Sequence, residues 1–140
     1  MIILDTNVLS ELLKPAPSPY VIAWVSKQPG FLLFTTTVTQ AEILYGVELL
    51  PKGKRKSKLE AMVAAIFDQD FGDRILPFDT EAARAFPKVA ASRRAAGRPI
   101  AEFDAQIAAI AQSLGAGLAT RNVADFEGCG VPLFNPWLQS

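Results

Sequence analysis

Short apolar runs alternate along this chain with longer segments in which apolar residues recur at helical spacing. The longer segments predict helices, and the short runs predict strands at residues 2–4, 31–34, 74–78, 118–119 and 131–134. This alternation is typical of α/β folds, in which helices cover both faces of a largely parallel sheet. We therefore predict one α/β domain spanning residues 1–140, with a mostly parallel central sheet of about five short strands flanked by helices.

Local signals place the predicted helix ends. The helices are expected at residues 7–13, from 18 to the stop at Pro29, 39–50, 59–67, from 79 to the stop at Gly97, and 100–114. Thr39 is expected to cap the third helix, and Gly115 to end the last one in the left-handed conformation. Pro87 lies inside a helical pattern and lacks a backbone donor, so it should kink or split that helix.

The composition argues against several kinds of protein and of metal site. The 140 residues include no His and one Cys, which argues against the usual zinc sites and against an intramolecular disulfide. No apolar stretch approaches the length of a transmembrane helix or a signal-peptide core, so a cytoplasmic protein without membrane attachment is expected. Fourteen basic and fourteen acidic residues give a net charge of zero, so any nucleic-acid contact must come from local patches.

Four acidic residues lie in or just after apolar segments, where an uncompensated charge would be costly. They are Asp5, Glu42, Asp104 and Asp125. In a parallel sheet, functional groups collect beyond the carboxyl ends of the strands, so side chains from four distant segments could converge there. Crowded carboxylates repel one another unless a cation joins them, and oxygen ligands suit Mg²⁺ or Mn²⁺. The pattern predicts an acidic site for Mg²⁺, with Mn²⁺ as a substitute.

Each of these acids also has a purely structural interpretation. Asp5 could cap the first helix, and Glu42 could be a paired or partly buried helix residue. Asp104 could be solvated, and Asp125 could cap a turn. The hypothesis of a shared site rests on all four together.

The ordered set of motifs resembles the PIN domain family, and in particular the VapC-type and FitB-like toxins of bacterial toxin–antitoxin pairs. The matching segments are residues 3–11, which contain Asp5-Thr6-Asn7, then 39–46, 74–79, 97–100, 103–111 and 118–122, followed by Asp125-Phe126. They run in family order over nearly the whole chain. The resemblance implies a PIN-like three-layer fold and a Mg²⁺-dependent endoribonuclease that hydrolyses RNA phosphodiester bonds and is silenced by an antitoxin protein.

The resemblance also implies roles for residues. Asp5 and Asp104 would be the principal metal ligands, and Glu42 would complete the core of the site. Many family members have an acid where this chain has Asn122, so either Asn122 or Asp125 could fill the fourth place of the catalytic set. Thr120 and Asn122 would donate or accept hydrogen bonds at the site, and Asn7 would orient Asp5. Family members usually form homodimers and hetero-oligomers with the antitoxin.

Positive charge beside the acids would hold RNA. Arg121 borders the expected pocket, and Lys54 and Arg55 belong to the dense basic run at residues 52–58, which could equally be a solvated helix entrance. Trp137 is expected to be a core or interface residue more often than a surface on which bases stack. The main alternative function is a non-catalytic PIN-like binding or regulatory domain, which would keep the fold and the antitoxin interface without cutting RNA.

Overall fold

A five-stranded sheet forms the centre of the protein in a computed structural model, which describes residues 1–138. The strands are β1 (Ile2–Leu4), β2 (Leu33–Thr36), β3 (Ile75–Leu76), β4 (Gly117–Ala119) and β5 (Leu133–Phe134). Their spatial order is β3-β2-β1-β4-β5, and every neighbouring pair is parallel. The predicted α/β class, the five short strands and the parallel pairing are confirmed, and all strands end at the same edge of the sheet.

In the described part of the chain, seven α-helices flank this sheet. They are α1 (Thr6–Leu12), α2 (Pro19–Lys27), α3 (Thr37–Glu48), α4 (Lys54–Ala65), α5 (Thr80–Ala95), α6 (Glu102–Leu114) and α7 (Val123–Phe126). A short 3₁₀ helix at Gly30–Leu32 precedes β2, and a π-helical turn at Ile66–Phe71 extends α4. Within residues 1–138, no helix combines the length and apolar character needed to span a membrane.

The hydrophobic core has two parts, one on each face of the sheet. Successive residues of a strand point to opposite faces, and the two buried neighbours Ile3 and Leu4 accordingly belong to different clusters. The cluster around Ile3 includes Ile107 of α6, and the cluster around Leu4 includes Val8 of α1. Helices therefore cover both faces, which gives the three layers predicted from the sequence.

The predicted starts of β2 and α3 were wrong. The apolar run at 31–34 begins as the 3₁₀ helix, so β2 lies later in the chain, at Leu33–Thr36. Thr36, and not Thr39, caps α3: its hydroxyl oxygen accepts a hydrogen bond from the amide of Thr39 at 3.1 Å. Both threonines are good capping residues, and the strand end decides which one is used.

The expected break at Pro87 does not split the helix. The helix α5 continues from Thr80 to Ala95, beginning at the Asp79 cap and carrying Pro87 on an exposed face. Proline cannot donate to the carbonyl one helical turn earlier, but on an exposed face water can satisfy that carbonyl. Packing of buried Ala85 and Val89 then holds the helix together across the proline. The predicted end of the next helix is correct, because Gly115 adopts φ 63° just after α6.

Candidate acidic site at the carboxyl edge of the sheet

Asp5 stands directly beyond β1 and is almost completely buried, with 4% of its surface exposed. One carboxylate oxygen accepts a hydrogen bond from the amide of Thr6 at 2.8 Å, and the other accepts from the hydroxyl of Thr120 at 2.8 Å. The first bond is the helix cap that the structural interpretation predicted. The second ties β1 to the end of β4, and it fixes the plane of the carboxylate at the sheet edge.

Glu42 approaches the same edge from α3. Its carboxylate accepts a hydrogen bond at 2.9 Å from the hydroxyl of Thr6, which also lies 3.0 Å from the hydroxyl of Thr39. Thr39 is fully buried. The role of Thr36 as the cap leaves the Thr39 side chain facing Thr6, so two threonines support the position of Glu42.

Asp104 lies in the first turn of α6, where the helix dipole favours negative charge. Burial raises its pKa, and the neighbouring charges of Asp125 and Glu42 raise it further. Asp125 is exposed on α7, and it does not line the pocket that contains the other three acids, whereas Asn122 does. Asp125 therefore affects the site through its own charge, which raises the pKa of Asp104.

Neighbouring acids contribute to the raised pKa values of Asp5 and Asp104. Burial raises the pKa of Asp5 to about 6, hydrogen bonds from Thr120 and Thr6 lower it in part, and the charges of Asp104 and Glu42 raise it again. Among residues 1–138, none of the four acids forms a salt bridge with a lysine or arginine. In the described part of the chain, the site thus concentrates negative charge that no direct ion pair neutralises.

Thr120 is the centre of the supporting network. Besides donating to Asp5, its hydroxyl oxygen accepts from the side-chain amide of Asn7 at 3.3 Å and from the backbone amide of Asn122 at 3.1 Å. The side-chain carbonyl oxygen of Asn7 accepts a hydrogen bond from the backbone amide of Arg121 at 3.2 Å. Asn7 thus reaches Asp5 through Thr120, and Asn122 contributes through its main chain.

These groups surround a pocket of about 400 Å³. Its wall combines Asp5, Glu42 and Asp104 with two cations, Lys14 and Arg121. The Arg121 guanidinium lies 5.2 Å from the centre of the Trp137 ring. This indole, expected in the core or an interface, packs against the core cluster around Leu4 and also forms part of the pocket wall. The sequence analysis also missed several other lining residues, which are Thr6, Ser10, Glu11 and Lys14.

The donor chemistry of the pocket fits a hydrated Mg²⁺ or Mn²⁺ ion. Within the part of the chain that the structure describes, no three Asp, Glu, His or Cys side chains gather closely enough to hold a metal ion together. Mg²⁺ usually keeps several waters and binds through only one or two carboxylates, so three protein ligands are not required. Oxygen ligands, adjacent unneutralised carboxylates and the absence of His from the sequence all favour a hard cation over zinc.

Lys54 and Arg55 lie away from the acidic pocket. They line a second pocket of about 800 Å³, between α1, α3 and α4. Both pockets include Thr6, Ser10, Lys14 and Glu42 in their walls. The two predicted groups of RNA-binding cations, Arg121 and the residues of α4, therefore line different, adjoining pockets.

Comparisons with known proteins find relatives over almost the whole length of the chain. A family model described as PIN domain matches residues 2–127. The chain is 36% identical to the VapC ribonuclease Y4jK of Sinorhizobium fredii over 98% of each chain, and 37% identical to Toxin FitB of Neisseria gonorrhoeae over 98% of this chain and 99% of that protein. The structure of FitAB bound to an IR36 DNA fragment superposes with a TM-score of 0.95 at 36% identity, covering 100% of this chain and 98% of the other.

Proposed function

This chain belongs to the PIN domain family, and we propose that it is a metal-dependent endoribonuclease that acts as the toxin of a toxin–antitoxin pair. The observation that carries the proposal is the cluster of carboxylates around one pocket at the carboxyl edge of the sheet, with the pKa of Asp5 and of Asp104 raised. Such a cluster costs stability, which is typical of a site that uses its charge. The relatives named a VapC ribonuclease and a toxin support the activity and the role.

In this proposal Asp5 and Asp104 hold Mg²⁺, for which Mn²⁺ can substitute, and Glu42 completes the site. When bound, the cation would neutralise charge on the phosphodiester and make an attacking water more acidic. Thr120 and Thr6 keep both oxygens of Asp5 oriented toward the pocket. The hydroxyl of Thr6 holds Glu42 in place as the acceptor of the proton released by water. Asp125 strengthens the negative field around Asp104.

Arg121 is proposed to bind RNA beside the acids, and Lys54 and Arg55 to bind it farther along the surface. Arg121 lines the acidic pocket, and its guanidinium is supported by the Trp137 ring. A phosphate held by Arg121 would keep the neighbouring phosphodiester over the carboxylates.

An antitoxin and a second copy of the chain are the proposed protein partners. The support is the high similarity to Toxin FitB and to the FitAB structure over almost the entire chain. Large apolar side chains that remain exposed offer surfaces for such partners, including Phe31 at 72% and Tyr45 at 65% exposure. The alternative, a non-catalytic binding domain, would keep these surfaces and lack turnover.

Cleavage of a mixed RNA panel by the purified protein tests the proposal. Asp5→Asn and Asp104→Asn should each lower the cleavage rate by at least about 100-fold, because each removes a charge that holds the cation and the developing phosphate charge. EDTA should abolish cleavage, and added Mg²⁺ or Mn²⁺ should restore it. Asp68→Asn is the matched control, because Asp68 is exposed and lines neither pocket.

Circular dichroism should show all three variants folded. Full activity in Asp5→Asn and Asp104→Asn would disprove the proposed site. Absence of cleavage by the parent protein, with Mg²⁺ present and across the whole RNA panel, would favour the non-catalytic alternative.

A further inference from the structure

Lys14 stands where the acidic pocket joins the groove between α1, α3 and α4. It lines both pockets, together with Thr6, Ser10 and Glu42. The groove continues from this junction along an apolar floor that includes Ile43 and Leu59. A strand leaving the acidic pocket would therefore meet Lys14 first.

A buried carboxylate holds Lys14 at this junction. Glu11 is only 7% exposed; one of its oxygens accepts a hydrogen bond from the Lys14 ammonium at 2.8 Å, and the other accepts from the backbone amide of Ser18 at 2.9 Å. Both carboxylate oxygens are thus engaged, and these bonds lower the pKa of Glu11. The Lys14 side chain itself is 58% exposed. An exposed lysine normally samples many rotamers, so a fixed partner for its ammonium group holds the charge in one place.

The far wall of the groove carries three further cations on α4, namely Lys54, Arg55 and Lys58. Lys54 and Arg55 occupy the first turn of the helix, which has no acidic residue and no side-chain cap. Cations at this end oppose the helix dipole, so the arrangement is unfavourable for the helix alone. An anionic ligand would relieve the repulsion.

We propose that single-stranded RNA leaving the acidic pocket follows this groove, an inference that rests on the proposed function. Lys14, positioned by Glu11, binds a phosphate of this RNA at the junction. Lys54, Arg55 and Lys58 then bind phosphates farther along the strand. The apolar floor accommodates the faces of unpaired bases, which a duplex would keep stacked inside.

Charge favours RNA over a peptide as the occupant. The rim of the groove offers four cations, Lys14, Lys54, Arg55 and Lys58, and a single acid, Glu42, which belongs to the metal-binding site of the proposed function. A polyanion with regularly spaced charges matches such a row of cations, whereas an apolar peptide would leave them unpaired. Continuity with the acidic pocket places the scissile phosphodiester and the rest of the strand on one path.

Salt-dependent binding of labelled RNA tests the proposal without requiring turnover. Fluorescence anisotropy would use the full chain carrying Asp5→Asn and single-stranded RNAs of about four and about twelve nucleotides, the range of single-strand site sizes. Each phosphate contact contributes about 0.7 to the slope of log Kd against log salt. Lys14→Gln should lower the slope by about 0.7, and Lys14→Arg should restore it.

Loss of the anchor should have a different effect from loss of the cation. Glu11→Asp, which keeps the negative charge but shortens the side chain that reaches the Lys14 ammonium, should weaken affinity about threefold while the salt slope stays at the parent value, because the charges remain and only the positioning is lost. The triple variant Lys54→Gln, Arg55→Gln, Lys58→Gln should lower the slope by about 2, and only for the longer RNA. The matched control neutralises Lys27, Lys88 and Arg94, which line neither pocket.

A parent-like slope in Lys14→Gln, or equal effects of the groove and control triples, would overturn the proposal. If the groove variants keep RNA affinity but lose affinity for an acidic amphipathic peptide, the groove is a protein-docking surface and the proposal fails. The nuclease proposal is judged separately: failure of Asp5→Asn to abolish cleavage would reject the acidic site, while the binding slopes would still report on the groove.

Discussion

At the scale of single residues, the charge of Asp5 is costly for the folded protein. Its pKa rises from 3.8 to about 6, and one pKa unit corresponds to about 1.4 kcal/mol. Without a bound cation, ionised Asp5 therefore disfavours folding by about 3 kcal/mol at neutral pH. A site kept for stability alone would not retain this carboxylate.

The pH dependence of unfolding should reveal this cost. The folded state takes up the Asp5 proton near pH 6 and the unfolded state near 3.8, so the contribution of Asp5 to stability falls as the pH rises through that window. Asp5→Asn removes this dependence. In urea unfolding with EDTA, the variant's free energy of unfolding relative to the parent should increase by about 2.4 kcal/mol between pH 4 and pH 7.5. A difference that does not vary with pH would contradict the burial of this charge, and Asp68→Asn serves as the surface control.

Two glycines should respond in opposite ways to alanine. A Cβ at Gly117 of β4 would lie 2.7 Å from the Phe134 ring, whereas a Cβ at Gly46 of α3 would meet no atom within 4 Å. Gly117→Ala should lower the free energy of unfolding by about 1 to 3 kcal/mol through overpacking. Gly46→Ala should raise it by about 0.5 to 1 kcal/mol, because it removes backbone freedom inside a helix. Chemical denaturation measures both, and an unchanged or raised stability of Gly117→Ala would refute the packing of β5 on β4.

The sequence identified three acids of the pocket and the supporting residues Thr120 and Asn7, but it missed the roles of Thr6, Thr39 and Glu11. An acid beside an apolar run is conspicuous because its burial is costly. Thr6, Thr39 and Glu11 carry no such signal, because a polar residue near a helix start usually faces water or caps the helix. Only the packing of α1 against α3 shows that Thr6 contacts Glu42.

At the scale of elements, the first turn of α4 combines two opposing requirements. Lys54 and Arg55 lie where the helix dipole favours acids, and the same residues line the groove proposed to bind RNA. Stability and binding should therefore change in opposite directions when these charges are reversed.

Charge reversal tests this conflict. Lys54→Glu with Arg55→Glu should raise the free energy of unfolding by about 0.3 to 1 kcal/mol per residue at low salt, and it should weaken RNA binding. Lys88→Glu, near the middle of α5, is the control because the dipole effect is confined to the helix ends. Thermal unfolding and RNA anisotropy measure the two effects. A loss of stability in the double variant would contradict the dipole argument.

Element types were easier to predict than element ends. Helical spacing identified α1 to α6 because their apolar stripes pack on a sheet. The four-residue α7 was missed, since so short a segment has no periodicity to read. Thr36 and Thr39 are equivalent caps by residue type, so the position of β2 had to be known before the start of α3 could be assigned.

At the scale of the whole molecule, the strand order explains why distant residues meet. β1 lies at the centre of the sheet, between β2 and β4, so the segments that follow these three strands occupy one edge. The parallel arrangement was predictable from the alternation of strands and helices. The order of the strands was not, because several arrangements satisfy the same pattern. That order makes Thr120 a direct neighbour of Asp5.

The central pairing of β1 with β4 also has a consequence for folding during synthesis on the ribosome. The hydrogen bond between Asp5 and Thr120 joins residues 115 positions apart, so a growing polypeptide holds the first carboxylate long before its partner has been translated. The pocket cannot assemble on a ribosome until residue 120 has emerged from it. If the pocket cuts RNA, the ribosome that is producing the chain remains protected from it during most of elongation.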